Sequence, residues 1–153
     1  MQEKKPILSN LDGARRQDKI LLKRAVGRKI YNVDAPTLSA FYANVFCPKW
    51  MEEKAFYVAC LCCEQGKNGS TELPVAWASF SKKKDIKNNV IARLVDQPWS
   101  DNVALSLTRI VRRMIAEGYS IDFEKLLNDI IYWNSDITRL AWARKISRTE
   151  EDK

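Results

Sequence analysis

Three arginines, Arg109, Arg112 and Arg113, crowd into the stretch 101–117, DNVALSLTRIVRRMIAE, with no acid between them. A guanidinium presents planar, paired donors that match phosphate and carboxylate oxygens. The chemistry this spacing allows is therefore anion binding. At about 100° per residue, Val103, Ala104, Leu107, Ile110, Val111, Met114 and Ile115 take one broad side of a helix, and the three arginines project from the other. Like charges at this spacing repel by a few tenths of a kcal/mol each. Either a polyanion beyond the helix offsets that cost, or the face is simply solvated or paired with carboxylates supplied elsewhere in the fold.

Further cations fall in three other places. Arg15, Arg16, Lys19 and Lys23 cluster on one side of a second helical stretch at 14–26 and are followed by Arg28 and Lys29. Lys82, Lys83 and Lys84 form a third group. Arg144 and Arg148 stand one turn apart near the end of the chain. The acids concentrate elsewhere, at Glu52, Glu53, Glu64, Glu72 and the tail. Segregated bases opposite an apolar face point to a nucleic-acid backbone as the partner. No RNP motif, zinc finger or Gly-rich phosphate loop is present. The helix at 122–132 carries Asp122, Glu124 and Asp129, which makes it a poor major-groove reader. Backbone contact without base readout is the expectation.

Catalysis is poorly supported. The chain has no histidine, which removes the usual base of Ser, Cys and Thr nucleophiles and the commonest metal ligand. Glu124 and Asp129 share a helix without a partner of evident function, and Asp129 reads as a helix-surface or salt-bridge residue. Of the four cysteines, Cys60, Cys62 and Cys63 point in diverging directions from one helix, Cys47 lies apart, and no C-x-x-C occurs. A tetrahedral thiolate site would need that helix unwound. Buried reduced thiols are the expectation, with no metal, no cofactor and no enzymatic role. Trp77, Trp99, Trp133 and Trp142 stand among apolar neighbours at helix ends and read as core anchors rather than stacking platforms.

The whole chain frames these sites. Its 153 residues make one domain, and 46% apolar with 29% charged residues is ordinary for a globular protein. The net charge of +7 and the pI near 9.3 favour an acidic partner. No apolar run approaches the ~18 residues a membrane span needs, and the first residues lack an apolar signal core. A cytoplasmic protein is expected.

The elements that must position the cations are all helical. A polar lead-in at 1–13 reads as flexible. Helices follow at 14–26, with Gly27 as its cap, and from Asp34 with Pro36 in the first turn. Leu38, Phe41, Tyr42 and Val45 give that second helix an apolar face, and Pro48 ends it. The stretch 50–64, almost wholly apolar from Ala55 to Cys63, predicts the buried centre of the N-terminal half. QGKNGSTELP at 65–74 is loop-like. Short helices are predicted at 75–80 and up to about Val95. The helix at 101–117 is capped by Ser100 or Asp101 and stopped by Gly118. Two more run from Asp122 and from Asp136. The expectation is an all-α bundle of about eight helices in two small lobes, 14–65 and 75–148, joined by a loop at 66–74.

Four elements in this order also resemble a known family. Leu126-Leu127-Asn128-Asp129-Ile130-Ile131-Tyr132-Trp133, followed after a turn by Trp142-Ala143-Arg144, is similar to the C-terminal signature of the CasB family, the small subunits of the type I-E CRISPR Cascade complex. Arg109 and Arg113 match that family's "Leu-Arg-x-x-x-Arg-Leu" helix, whereas Arg112 matches none of its positions. Asp34-Ala35-Pro36 with Phe41-Tyr42 fits its "Ala-x-x-Phe-Tyr" element, preceded by a basic helix. The likeness spans about residues 13 to 148. It departs at Ser81-Lys82, where the family carries glycine. The resemblance implies a non-catalytic helical subunit whose partners are CRISPR RNA, target DNA with its displaced strand, the backbone and large subunits, and a second copy packed head to tail. In this reading Arg15, Arg16, Lys19, Lys23, Arg109, Arg112, Arg113, Arg144 and Arg148 line a backbone-tracking groove. Arg144 has a second option, a wedge at a protein interface beside Ile137 and Leu140.

Overall fold

The starts of several helices are set by short polar side chains that accept orphan backbone N–H groups. Asp34 accepts from the Thr37 amide at 3.0 Å, Ser100 from Val103 at 3.2 Å, and Asp122 from Lys125 at 3.1 Å. The computed structural model describes residues 6–86 and 90–147. Among them are eight α-helices and no strand: α1 (Arg16–Arg24), α2 (Ala35–Asn44), α3 (Glu52–Gln65), α4 (Leu73–Lys83), α5 (Val90–Val95), α6 (Asp101–Ala116), α7 (Phe123–Ile131) and α8 (Asp136–Ser147). The all-α expectation holds. Gly118 ends α6 with a left-handed φ of 91°, so that the Tyr119 amide reaches the Met114 carbonyl and the Gly118 amide that of Ile115. This paired closure is the Schellman motif.

Core burial follows from α3, in which Ala55, Phe56, Val58, Ala59, Cys60, Leu61, Cys62 and Cys63 are all buried. A helix apolar all round must be covered all round, and α1, α6 and α7 pack against it. Burial pushes the Cys62 and Cys63 thiols up to about 12, which leaves them un-ionised and inert. In turn α6 buries Val103, Leu107, Ile110, Val111 and Met114, each contributing about 1.5–3 kcal/mol, and also contacts α4 and α5. Those two helices carry α8. A run of edge-to-face rings joins the halves: Tyr57 to Trp99 at 5.6 Å, Trp99 to Trp133 at 5.4 Å, Trp133 to Trp142 at 5.2 Å. Trp77, Trp133 and Trp142 are buried, as anchors should be, and Trp99 is half-buried.

One segment differs from the sequence reading. Part of the lead-in at 1–13 is packed: Leu8 and Leu11 are 1% exposed, set by a 3-10 turn at Ser9–Leu11, and the Leu8 amide donates to Glu124. The segment between α3 and α4 is a loop, as the sequence reading has it, and is tied down. It forms an isolated parallel bridge between Thr71 and Ile121, and the Gln65 side chain exchanges two hydrogen bonds with the Ile121 backbone at 2.8 and 3.0 Å. A Cβ at Gly69 would run into Ser120, so the close strand-like approach requires glycine there.

Asp129 is buried rather than surface-exposed. Its carboxylate accepts from the Trp142 indole at 2.9 Å and from the Lys125 ammonium at 2.8 Å, locking α8 onto α7. Asp129→Ala leaves the indole N–H unpaired in the core and is expected to cost about 2–3 kcal/mol, read by urea unfolding. Asp129→Asn, which retains an acceptor, should cost less. Glu124 supplies a pH test. Burial raises its carboxyl above the usual range despite the Leu8 amide. A carboxyl raised in the fold favours folding fully below its unfolded pKa, and that contribution is lost as pH rises through the folded value. Glu124→Gln should therefore raise the melting temperature relative to wild type near about pH 8 and make little difference near about pH 4.

Candidate nucleic-acid interface

With one side of α6 committed to the core, its outer side presents Leu105, Arg109, Arg112, Arg113 and Ala116, all exposed. The three cations differ in what holds them. Arg109 has no hydrogen bond or ion pair among the described residues. Arg112 grips Glu64 at the end of α3 through Nε, at 2.9 and 3.0 Å, and through a terminal nitrogen at 2.8 Å. Arg113 lies 3.5 Å from Glu117 and stacks its guanidinium over Phe80, 5.2 Å from the ring centre. The carboxylate engaging Arg112 is the kind of partner that the sequence left open as the alternative to a polyanion.

On α1, Arg15 sits at the N-cap position and Arg16 opens the helix. Both are exposed, as is Lys23, and none has a side-chain partner among the described residues. Cations at a helix N-terminus oppose its dipole by a few tenths of a kcal/mol, a cost set against the one acid of that first turn, Asp18. Lys19 is different. Half-buried, it donates to the Asp12 carbonyl at 2.8 Å and to that of Gly66 at 3.4 Å. Since Gly66 follows the last turn of α3 and Glu64 lies within it, the basic faces of α1 and α6 approach the same helix end from two sides. Lys19 and Arg112 satisfy that end. Arg15, Arg16, Lys23 and Arg109 keep their full donor capacity, and Arg113 keeps most of it.

Arg144 stands on a different helix. It lies on α8, which packs on α4 and α5, and at helical spacing it shares a side with Ile137 and Leu140, 82% and 60% exposed. Arg148 lies outside the described residues. Lys29, which follows the basic stretch of α1, is bound to Asp101 at 2.8 Å and so braces the start of α6. Glu124 and Asp129 are both occupied in holding the fold. Among the described residues no group of three or more metal-ligating side chains converges.

The sequence reading missed a set of outward aromatics. Phe46 and Trp50 are each 69% exposed and Tyr42 is 47% exposed, around the turn from α2 to α3. Tyr42 was expected on the apolar side of its helix, yet its hydroxyl donates to Glu52 at 2.9 Å. The available signal was the proline of Phe46-Cys47-Pro48, which places Phe46 in a turn where no core face exists to receive it.

A family model described as CRISPR-associated protein Cse2 matches residues 21–145. No curated protein matches the chain. A solved chain described as "CRISPR RNA-guided surveillance complex" shares the fold, with a TM-score of 0.68 and 21% sequence identity, covering 94% of this chain and 89% of that one. The Glu64 contact yields a direct test of which cations are available. Glu64→Gln releases Arg112 and should steepen the salt dependence of single-strand binding by about 0.7 in log–log slope, one phosphate contact. The same change should lower stability by less than about 1 kcal/mol, as expected for a half-exposed pair.

Proposed function

We propose, from the premise that this chain belongs to the CRISPR-associated Cse2 family, that it is a non-catalytic subunit of a type I-E Cascade surveillance complex. In that role it meets CRISPR RNA and target DNA, including the displaced strand, together with the backbone and large subunits and a second copy of itself. Its place is the cytoplasm, in antiviral defence; none of the described helices is long and apolar enough to cross a membrane. Arg109, Arg113, Arg15, Arg16 and Lys23 hold the phosphate backbone. Arg112 and Lys19 steady the end of α3 beneath it and contribute at its edge.

The observation that carries this reading is the outer face of α6. Arg109 stands there exposed and unpaired among the described residues, with Arg113 one turn on, over a helix whose opposite side is core. Contacts of this kind position a strand without reading its bases, so binding is blind to sequence and weakens steeply with salt through counterion release. The missing histidine and the structural employment of Glu124 and Asp129 fit a subunit that holds rather than cuts.

A second kind of contact is favoured by the apolar surface. Ile137 and Leu140, with Arg144 one turn further along α8, form a stripe that suits a protein partner better than a phosphate chain, because large exposed apolar side chains mark protein contacts. Arg144 then acts as a wedge at a subunit interface. The rival in which every basic face docks on acidic protein surfaces gives the isolated chain no affinity for nucleic acid.

Arg109→Ala combined with Arg113→Ala should reduce single-strand affinity by about tenfold or more at low salt and flatten the salt slope by about 1.4, two phosphate contacts. Ile137→Asp should leave that binding intact while weakening assembly with the other subunits. Unchanged affinity and slope in the double variant would remove the groove assignment.

A further inference from the structure

The lysines at 82–84 belong to none of the faces described so far, and in the fold they come round to the end of α6. Between the C-terminal ends of α4 and α6 lies a cleft of about 410 Å³ whose walls carry Lys83, Lys84, Ser79 and Tyr119, completed by Phe80, Glu117 and Gly118. Lys83 and Lys84 are exposed, and neither ammonium has an ion pair or hydrogen bond among the described residues. The acid in the lining, Glu117, is engaged by Arg113 at 3.5 Å, and Arg113 in turn stacks on Phe80, which fixes the guanidinium beside the cleft. Asp85 follows Lys84 with left-handed backbone, φ 52°, and makes no ion pair with either lysine. The Ser79 and Tyr119 hydroxyls stand 3.4 Å apart, too loosely bonded to be saturated, and both can donate to an anion's oxygens. Gly118 adds no side chain that would close the mouth.

Cations in the last turn of a helix also complement its dipole, and that accounts for part of Lys83. It does not account for two adjacent ammonium groups, unpaired among the described residues, on the walls of a shared cleft that carries two hydroxyls and has a guanidinium beside it. We propose that this cleft is a phosphodiester site, in which Lys83 and Lys84 take a backbone phosphate of the strand that runs along Arg109 and Arg113. The inference rests on the nucleic-acid reading of α6 and extends the path of the strand round the C-terminal end of that helix. It also gives a role to the lysines that follow the point where the chain departs from the family pattern. Ser81-Lys82 closes α4 as ordinary helix, which carries Lys83 and Lys84 to the rim.

The test is equilibrium binding of the full chain to labelled single strands of about 20 nucleotides, DNA in one arm and RNA in the other, across a salt series. Lys83→Ala with Lys84→Ala should lose about five- to tenfold in affinity at about 50 mM salt and flatten the log–log slope by about 1 to 1.4. Lys83→Arg with Lys84→Arg should restore the slope. Lys49→Ala, at the far end of α3 from this cleft, should leave it unchanged, and melting curves confirm that each variant folds. A wild type that binds with a slope untouched by the alanine pair overturns the cleft alone, as does an equal loss from Lys49→Ala. A wild type that binds neither strand overturns the cleft and the reading of α6 together. An effect confined to the DNA or the RNA arm supports the site and identifies its strand.

Discussion

With eight of the fourteen residues of α3 buried, every neighbouring helix is constrained by the need to keep that apolar cylinder out of water. Covering it takes α1 on one side, α7 on another and α6 on a third. Each covering helix has one face to give, so the opposite face is turned outward by necessity. This is why α6 can carry three arginines in a single patch without endangering the core. The fold converts a requirement for burial into a surface that is free to be charged.

The C-terminal end of α3 adds a second consequence. Carbonyl groups and Glu64 gather negative charge there, and it draws in Lys19 from α1 and Arg112 from α6. Two members of the basic set are thereby spent partly on the fold itself. They also tie the two basic helices to one end of a shared support. Large apolar side chains are exposed elsewhere, at Ile137 and Leu140 of α8 and at the aromatics between α2 and α3. Under the proposed function, charge-steered backbone binding and apolar docking would occupy separate surfaces.

Much of this was legible in the sequence because the signals were local. The caps at Asp34, Ser100 and Asp122, the stop at Gly118 and the two-faced character of α6 each depend on residues a few positions apart. What escaped depends on distance. Glu64 and Arg112 are 48 positions apart, and nothing in either neighbourhood announces the other. Leu8 and Leu11 are too few to show a period, so a packed segment read as a loose one. Asp129 read as a helix-surface or salt-bridge residue, and the salt bridge to Lys125 is there; its burial escaped because its other partner, Trp142, comes from the next helix. The resemblance spread over residues 13 to 148 reached the family that the residues alone could not name. The reason is now physical: Asp129, Trp133 and Trp142 form the polar and aromatic lock that fixes α8, whereas Arg109 owes its exposure to α3.

The central claim is that the outer face of α6 meets phosphate. Its most direct measurement is the binding of the unaltered chain to single strands of unrelated sequence across a range of salt. The account predicts that log K falls linearly with log salt, with a slope of about −2 to −4 for roughly three to six phosphate contacts, and that unrelated sequences give the same line. Affinity that does not change with salt, or no binding at low salt, would contradict it.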